Sequence, residues 1–169
     1  MNLTTEERLV DELEVVKRFA ARLPVDVVGI IEALGISYQE FPMETGSSGR
    51  IEYDEPFCTI SVNRSEGPQR RRFTAAHELG HYLLHRDLLD GRGHLDRLYS
   101  EGGSANPFEP LAPSHEVQAN KFAAALLMPS GFLRDNYDAD ADNVPELAAK
   151  CDVSVSAMKI RLKSLGIRT

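Results

Sequence analysis

Cysteine is scarce. The chain has two in 169 residues, Cys58 and Cys151, far apart in sequence, and that is no disulfide framework. Cys58 sits in a strand-like run and Cys151 at the end of a helix-like run. Both read as small buried hydrophobes and not as ligands or nucleophiles. Positive charge is in deficit as well: 19 Lys and Arg stand against 26 Asp and Glu, for a net charge of −7 and a pI near 5.2. That balance argues against broad nonspecific binding to nucleic acid and leaves open only a local basic patch. No apolar run approaches the length of a membrane span. The N-terminal "MNLTTEERLVDELEVV" is charged and amphipathic, without the apolar segment of a signal peptide. The expectation is a soluble cytoplasmic protein. There is no internal repeat and no low-complexity tract. What remains, 42% hydrophobic and 27% charged residues, suits a globular chain of one or two domains with a substantial core.

Histidine is also sparse, five in all, yet three of the five fall in "RRFTAAHELGHYLLH", Arg71 to His85. The stretch contains His-Glu-x-x-His at His77, Glu78 and His81. On a helix, His77 and His81 lie one turn apart on one face and can converge on one metal ion. Glu78, offset by about 100° on the helix wheel, can reach a water on that ion. This is the zinc metallopeptidase signature. Phe73, Ala76, Leu79, Gly80, Leu83 and Leu84 give the segment an apolar surface, so it reads as a buried helix and not as an accidental match on an exposed one.

A catalytic zinc usually takes a third protein ligand. In the extended pattern His-Glu-x-x-His-x-x-Gly-x-x-His, the glycine position is Leu84 and the last position Asp87. Without the glycine that turns the chain back to the metal, Asp87 is a poor choice. His85 lies one turn beyond His81, roughly 12 Å of helix rise from His77. Three ligands from one straight helix rarely reach one ion, so His85 reads as a helix-end residue or one that supports a ligand from behind. Glu116, at the start of "EVQAN", is the better option: a carboxylate from a separate helix, with Asn120 one turn later to hold a ligating histidine. Alone, Glu116 is an ordinary first-turn glutamate, and only the first motif makes it a ligand. His115 would point away and reads as a surface histidine at a helix start.

Spacing and caps predict a helix over roughly residues 5–22, with Thr4 and Glu7 as capping box, and a second from Pro24 or Val25 to Gly35. Ile36 to Phe41 reads as a strand, "METGSSGR" as a flexible turn, and "IEY" and "FCTISVN" as strands. The natural picture is a small antiparallel sheet beside the histidine helix. Residues 91–113, with four glycines and three prolines, read as a long loop that can lie over the cleft. Ser114 is the expected N-cap of the next helix, which Pro129 ends, and a short helix over Ser130 to Tyr137 follows. Asn143 and Ser154 are expected to cap two last helices, with Leu147, Ala148, Val153, Met158 and Leu162 as a helix-turn-helix core. Lys159, Arg161, Lys163 and Arg168 make that tail locally basic. It reads first as a packed helical pair with a solvated face, and the acidic remainder of the chain argues against DNA contact by the tail alone.

Taken together, "PVDVVGIIEALGI", "ISVNRSEGPQRRRFTAAHELGHYLLH", "EVQANKFAAALLMP" and "VSVSAMKIRLKSLGI" resemble the ImmA/IrrE family of zinc metallopeptidase-like proteins across most of the chain. The resemblance implies an α+β fold: a small antiparallel sheet on a zincin-like helical core over residues 1–138, then a helix-turn-helix-like pair over 139–169. It implies one zinc ion held by His77, His81 and Glu116, with Glu78 as catalytic acid/base and Asn120 and His85 behind the ligands. It also implies a partner, a helix-turn-helix transcriptional repressor that is cut and so inactivated. Gln118 departs from the family pattern, where an acidic residue is common; this removes one candidate carboxylate and favours Glu116. Tyr82, His94, Tyr99 and Tyr137 are candidates for a further donor to an oxyanion, each with a structural role as the plainer reading. The competing class is a non-catalytic anti-repressor that sequesters its partner around a structural zinc, and a third is a DNA-binding regulator. Glu78 favours the enzyme, since a structural site has no use for it.

Overall fold

Thr4 starts the first helix of the computed structural model, α1 (Thr5–Ala20), by the expected reciprocal cap. Its Oγ1 accepts from the Glu7 amide at 3.2 Å, and Glu7 Oε2 accepts from the Thr4 amide at 2.8 Å. Two of the amides that a helix start leaves unmatched are thereby satisfied. The structure describes residues 3–89, 91–97 and 111–167, with 92–97 as backbone. Asp26 caps α2 (Val27–Ala33), which ends ahead of Gly35. No described helix is long and apolar enough to cross a membrane.

The sheet is mixed where the sequence suggested an antiparallel one. Its strands are β1 (Ser37–Phe41), β2 (Ser47–Asp54), β3 (Phe57–Asn63) and β4 (Arg92–Arg97), in the order β1-β3-β2-β4. A tight turn joins β2 to β3, so one edge of β2 is taken by β3; the other is taken by β4. Only the far edge of β3 is left for β1, which therefore steps over β3 and runs parallel to it, with Tyr38 opposite Ile60. Asn63 secures the step. Its Oδ1 accepts from the Met43 amide at 3.2 Å, and its Nδ2 donates to the Ser47 carbonyl at 2.8 Å.

Two segments expected to be irregular are strand. Ser47 to Arg50, read as part of a flexible turn, belongs to β2, and Ser47, Ser48 and Gly49 are buried. Arg92 to Arg97, read as the start of a long loop, is β4. Its polar side chains and glycine conceal a strand whose place is set by the unfilled edge of β2 and not by its own propensity. Residues 98–110 of that expected loop lie outside the described residues.

Behind the sheet runs α3 (Pro68–Leu89), the histidine helix, and against it α4 (Pro113–Leu127). The N-cap of α4 is Ala112 and not Ser114. Pro113 takes the first helical position, where its missing N–H costs nothing, and His115 Nδ1 accepts from the Ala112 amide at 2.8 Å. Then come α5 (Ser130–Asn136), α6 (Val144–Cys151) and α7 (Val155–Ser164). Ser154 caps α7 as expected. Asn143 precedes α6 but spends its side chain elsewhere, accepting from the Asp138 amide and donating to the Asn136 carbonyl.

One arginine docks the last two helices. Arg72 of α3 donates to the Cys151 and Asp152 carbonyls at the end of α6, each at 3.3 Å, and to the Val25 carbonyl at 2.8 Å. Carbonyls at a helix end have no partner within the helix, so a guanidinium fork is an apt one. Leu147, Ala148, Val153, Met158 and Leu162 are all buried, within the same hydrophobic cluster as Ile30, Ile60 and Leu79. Arg168 lies outside the described residues.

Candidate metal centre

The central turns of α3 are buried on every side but one. His77, Glu78 and His81 are all buried, as are Leu79 and Gly80 between them, while Leu84 and Asp87 face outward. Asp87 is thus remote in direction from the two histidines, as the missing glycine at Leu84 led one to expect.

Close approach of α4 brings Glu116 to these rings. A Cβ on Gly80 would meet Ala119 Cα at 3.3 Å and Phe122 Cδ1 at 3.0 Å. Glycine inside a helix costs roughly 0.5–1 kcal/mol relative to alanine, and here the small pair Gly80 and Ala119 lets the two backbones nearly touch. Glu116, one turn before Asn120 on α4, then spans both histidines. Its Oε2 is 3.0 Å from His77 Nε2, and its Oε1 is 3.3 Å from His81 Nε2. One donor atom from each of His77, His81 and Glu116 lies within 4.8 Å of the others.

Hydrogen bonds on the far sides of the rings decide which lone pairs point inward. Asn120 Oδ1 lies 2.8 Å from His77 Nδ1; as a carbonyl oxygen it accepts, so His77 carries its proton there and turns an Nε2 lone pair to Glu116. Gln118 Oε1 likewise accepts from His85 Nε2 at 2.7 Å. Burial pushes the His85 imidazole below its usual pKa, and the hydrogen bond to Gln118 opposes this only in part. A neutral His85 then accepts at Nδ1 from His81 Nδ1–H, 2.9 Å away, and His81 too presents an Nε2 lone pair to Glu116. His77 Nε2, His81 Nε2 and the two Glu116 oxygens thus face one another. The donor set, two neutral imidazoles and one carboxylate with supporting hydrogen bonds behind the imidazoles, fits a divalent metal.

His85 thus meets His81 on the side away from Glu116, its ring 4.8 Å from that of His115, and is not among the three residues whose donor atoms cluster. Gln118 was legible in the sequence only as a departure from a family pattern; its part as the anchor of His85 needed the structure.

Glu78 is fully buried, under β2. A Cβ on Gly49 would come within 2.8 Å of Glu78 Oε1 and 2.4 Å of Thr74 Cγ2, so this strand position has room for glycine only. A register shift between Ser47 and Gly49 marks the same spot. Of the candidate oxyanion donors, Tyr82 is committed elsewhere. Its hydroxyl donates to Glu12 Oε1 at 3.0 Å, beside a buried Arg86–Glu12 ion pair at 2.8 Å. Tyr137 is half-buried after α5. The His94 side chain and Tyr99 lie outside the described residues. Neither cysteine nears the centre in role: both are unbridged and buried, and burial pushes the Cys58 thiol up to about 12 and raises that of Cys151.

The family model described as Peptidase_M78, IrrE N-terminal-like domain, matches residues 31–163. The chain is 32% identical over 108 residues to the radiation response metalloprotease IrrE of Deinococcus radiodurans, a match that covers 62% of this chain and 30% of that protein. It is 33% identical over 108 residues to the protein of the same name from Deinococcus deserti, covering 62% and 36%. The match thus spans about a third of the length of these curated relatives. With its two histidines and one carboxylate brought together and most of its length matched, the chain belongs to the ImmA/IrrE family of metallopeptidases.

Proposed function

We propose that this protein is a zinc-dependent endopeptidase of the gluzincin type, held in a zincin-like core over residues 1–138, and that its substrate is a helix-turn-helix transcriptional repressor inactivated by the cut. The observation that carries the reading is the convergence of His77, His81 and Glu116 within 4.8 Å, with the buried Glu78 next to His77 in the chain. The two imidazoles and the carboxylate would hold the ion. Asn120 and the His85–Gln118 pair fix the ring tautomers that ligation requires. When bound, zinc supplies the Lewis acidity that makes water a nucleophile near neutral pH.

Glu78 performs the proton transfers. Its carboxylate takes a proton from the attacking water and returns it to the amine that leaves when the peptide bond breaks. Burial under Gly49 holds that carboxylate in one place. A structural zinc would have no use for an acid/base so placed, which favours the enzyme over a sequestering anti-repressor. The C-terminal pair, residues 139–169, is read as a helix-turn-helix-like unit docked on the catalytic helix through Arg72.

The test is incubation with any helix-turn-helix repressor encoded beside this protein's gene. Cleavage is expected with zinc, not with chelator, and not with Glu78→Gln, which should still bind one zinc. Cleavage by Glu78→Gln at the wild-type rate would remove the assigned role. Relief of repression by Glu78→Gln without cleavage would support the sequestering alternative.

A further inference from the structure

A groove of about 890 Å³ lies between α4 and α7, floored by the first turns of α3. It is large enough for a binding cleft, for which roughly 300–1,000 Å³ is usual. Its walls are mainly apolar, with Phe73, Ala124 and Met128 deep and two side chains at the rim. Those two are exposed beyond what an uncovered surface favours: Val117 is 51% and Ile160 70% accessible.

Three cations stand around it. Arg70, Lys121 and Arg161 line the groove, and none of them forms an ion pair among the described residues. The Arg70 Nε is buried without a hydrogen-bond partner among the described residues. The one carboxylate among the lining residues, Asp152, already pairs with Arg72 at 3.4 Å. In a chain of net charge −7, three uncompensated cations around an apolar floor are a local reversal of sign. The groove also meets the metal centre, because Asn120 lines it and holds His77.

We infer that this groove receives a segment of the protein substrate with an apolar face and acidic flanks, and so aligns it with the metal centre. Apolar side chains fill the floor, and the acidic flanks meet Arg70, Lys121 and Arg161. Nucleic acid is the poorer fit, since phosphates gain nothing from Phe73, Val117, Met128 and Ile160. The inference rests on the peptidase reading for the reason a partner comes here, but binding can be measured apart from cleavage.

The test uses the full-length Glu78→Gln chain and a fluorescein-labelled helical peptide with leucines on one face and glutamates flanking them. The controls are a lysine-for-glutamate version, a scrambled version of the same composition, and a duplex oligonucleotide competitor. The acidic peptide should bind, the basic and scrambled ones should not, and binding should weaken as salt rises. Arg70→Glu with Lys121→Glu should weaken it at least about tenfold. Ile160→Ser should also weaken it about tenfold, with the melting temperature unchanged because that side chain is exposed. The inference is overturned if the acidic peptide fails to bind, or binds no better than the scrambled one. Indifference to both sets of substitutions, displacement by the duplex, or a concentration-dependent dimer abolished by Ile160→Ser would overturn it equally. None of these outcomes depends on whether the protein cuts anything.

Discussion

Adding one methyl group at residue 49 should separate the integrity of the fold from the placement of Glu78, the proposed acid/base. An alanine Cβ there stands 2.4 Å from Thr74 Cγ2 and 2.8 Å from Glu78 Oε1. Ordinary carbon contacts need about 3.5–4.0 Å. The Thr74 methyl must therefore retreat by about 1 Å and the Glu78 carboxylate by somewhat less. Both groups sit on α3 and are buried, so neither has solvent to move into. Overpacking of this kind costs about 1–3 kcal/mol, which at about 2–4 °C per kcal/mol lowers the melting temperature by roughly 4–8 °C for a midrange cost. Activity should fall further, since catalytic groups tolerate only about 0.5 Å of misplacement and 1 Å can cost about 100-fold. Zinc content should stay at one per chain, because the atoms nearest a Cβ at residue 49 belong to Thr74 and Glu78 and not to His77, His81 or Glu116. The double variant Gly49→Ala, Thr74→Ser removes the worst clash and leaves the one with Glu78. It should regain most of the melting temperature and little of the activity. Differential scanning calorimetry, zinc analysis and repressor cleavage read the three quantities. Wild-type melting and cleavage in Gly49→Ala would refute the claim that β2 confines Glu78.

The support behind the ligands can be tested in the same way. Gln118→Leu should leave the fold intact and weaken zinc binding about 10–100-fold in competition with a chelator, since His85 then loses the partner that directs its proton; unchanged affinity would mean that His85 does not need Gln118. Arg86→Met leaves the Glu12 carboxylate buried with only Tyr82 and Arg8 beside it, at a cost of about 3 kcal/mol in chemical denaturation. Adding Glu12→Gln should recover part of that loss, and an additive result would argue against direct coupling. The cysteines should resist a thiol reagent at pH 8 and react on unfolding. A thiol raised to about 12 is protonated at that pH, and the contribution of Cys58 to stability, full below its unfolded value near 9, should be lost progressively as pH rises from there toward about 12. Rapid labelling of the folded protein at pH 8 would contradict the burial of Cys58.

What could be read from the sequence was whatever depends on short separations. The turn of helix between His77 and His81, the Thr4–Glu7 box and the Ser154 cap are all local, and the structure has each of them. Glu116 lies 39 positions from His77. It was found by the chemistry a zinc site demands and by family pattern, and the structure sets it against both rings. The misreadings have a common cause. Ser47 to Arg50 and Arg92 to Arg97 are polar or glycine-rich, and local propensity assigns such residues to turns. Their strand state comes from pairing: β2 pairs with β3, and β4 fills the edge β2 leaves.

The same cause explains why the least conspicuous residues govern the site most. Gly49 sits in a stretch that looks like a linker, and Gly80 looks like a poor choice for a helix interior. By local rules each is a cost of up to about 1 kcal/mol. Across the core, however, the absent side chain of Gly49 sets how near β2 comes to Glu78, and that of Gly80 sets how near α4 brings Glu116. The histidines and the two glutamates announce a metal centre in any sequence that has them at this spacing. How close α4 brings Glu116 to the rings, and how closely β2 covers Glu78, depends on two positions that carry no side chain.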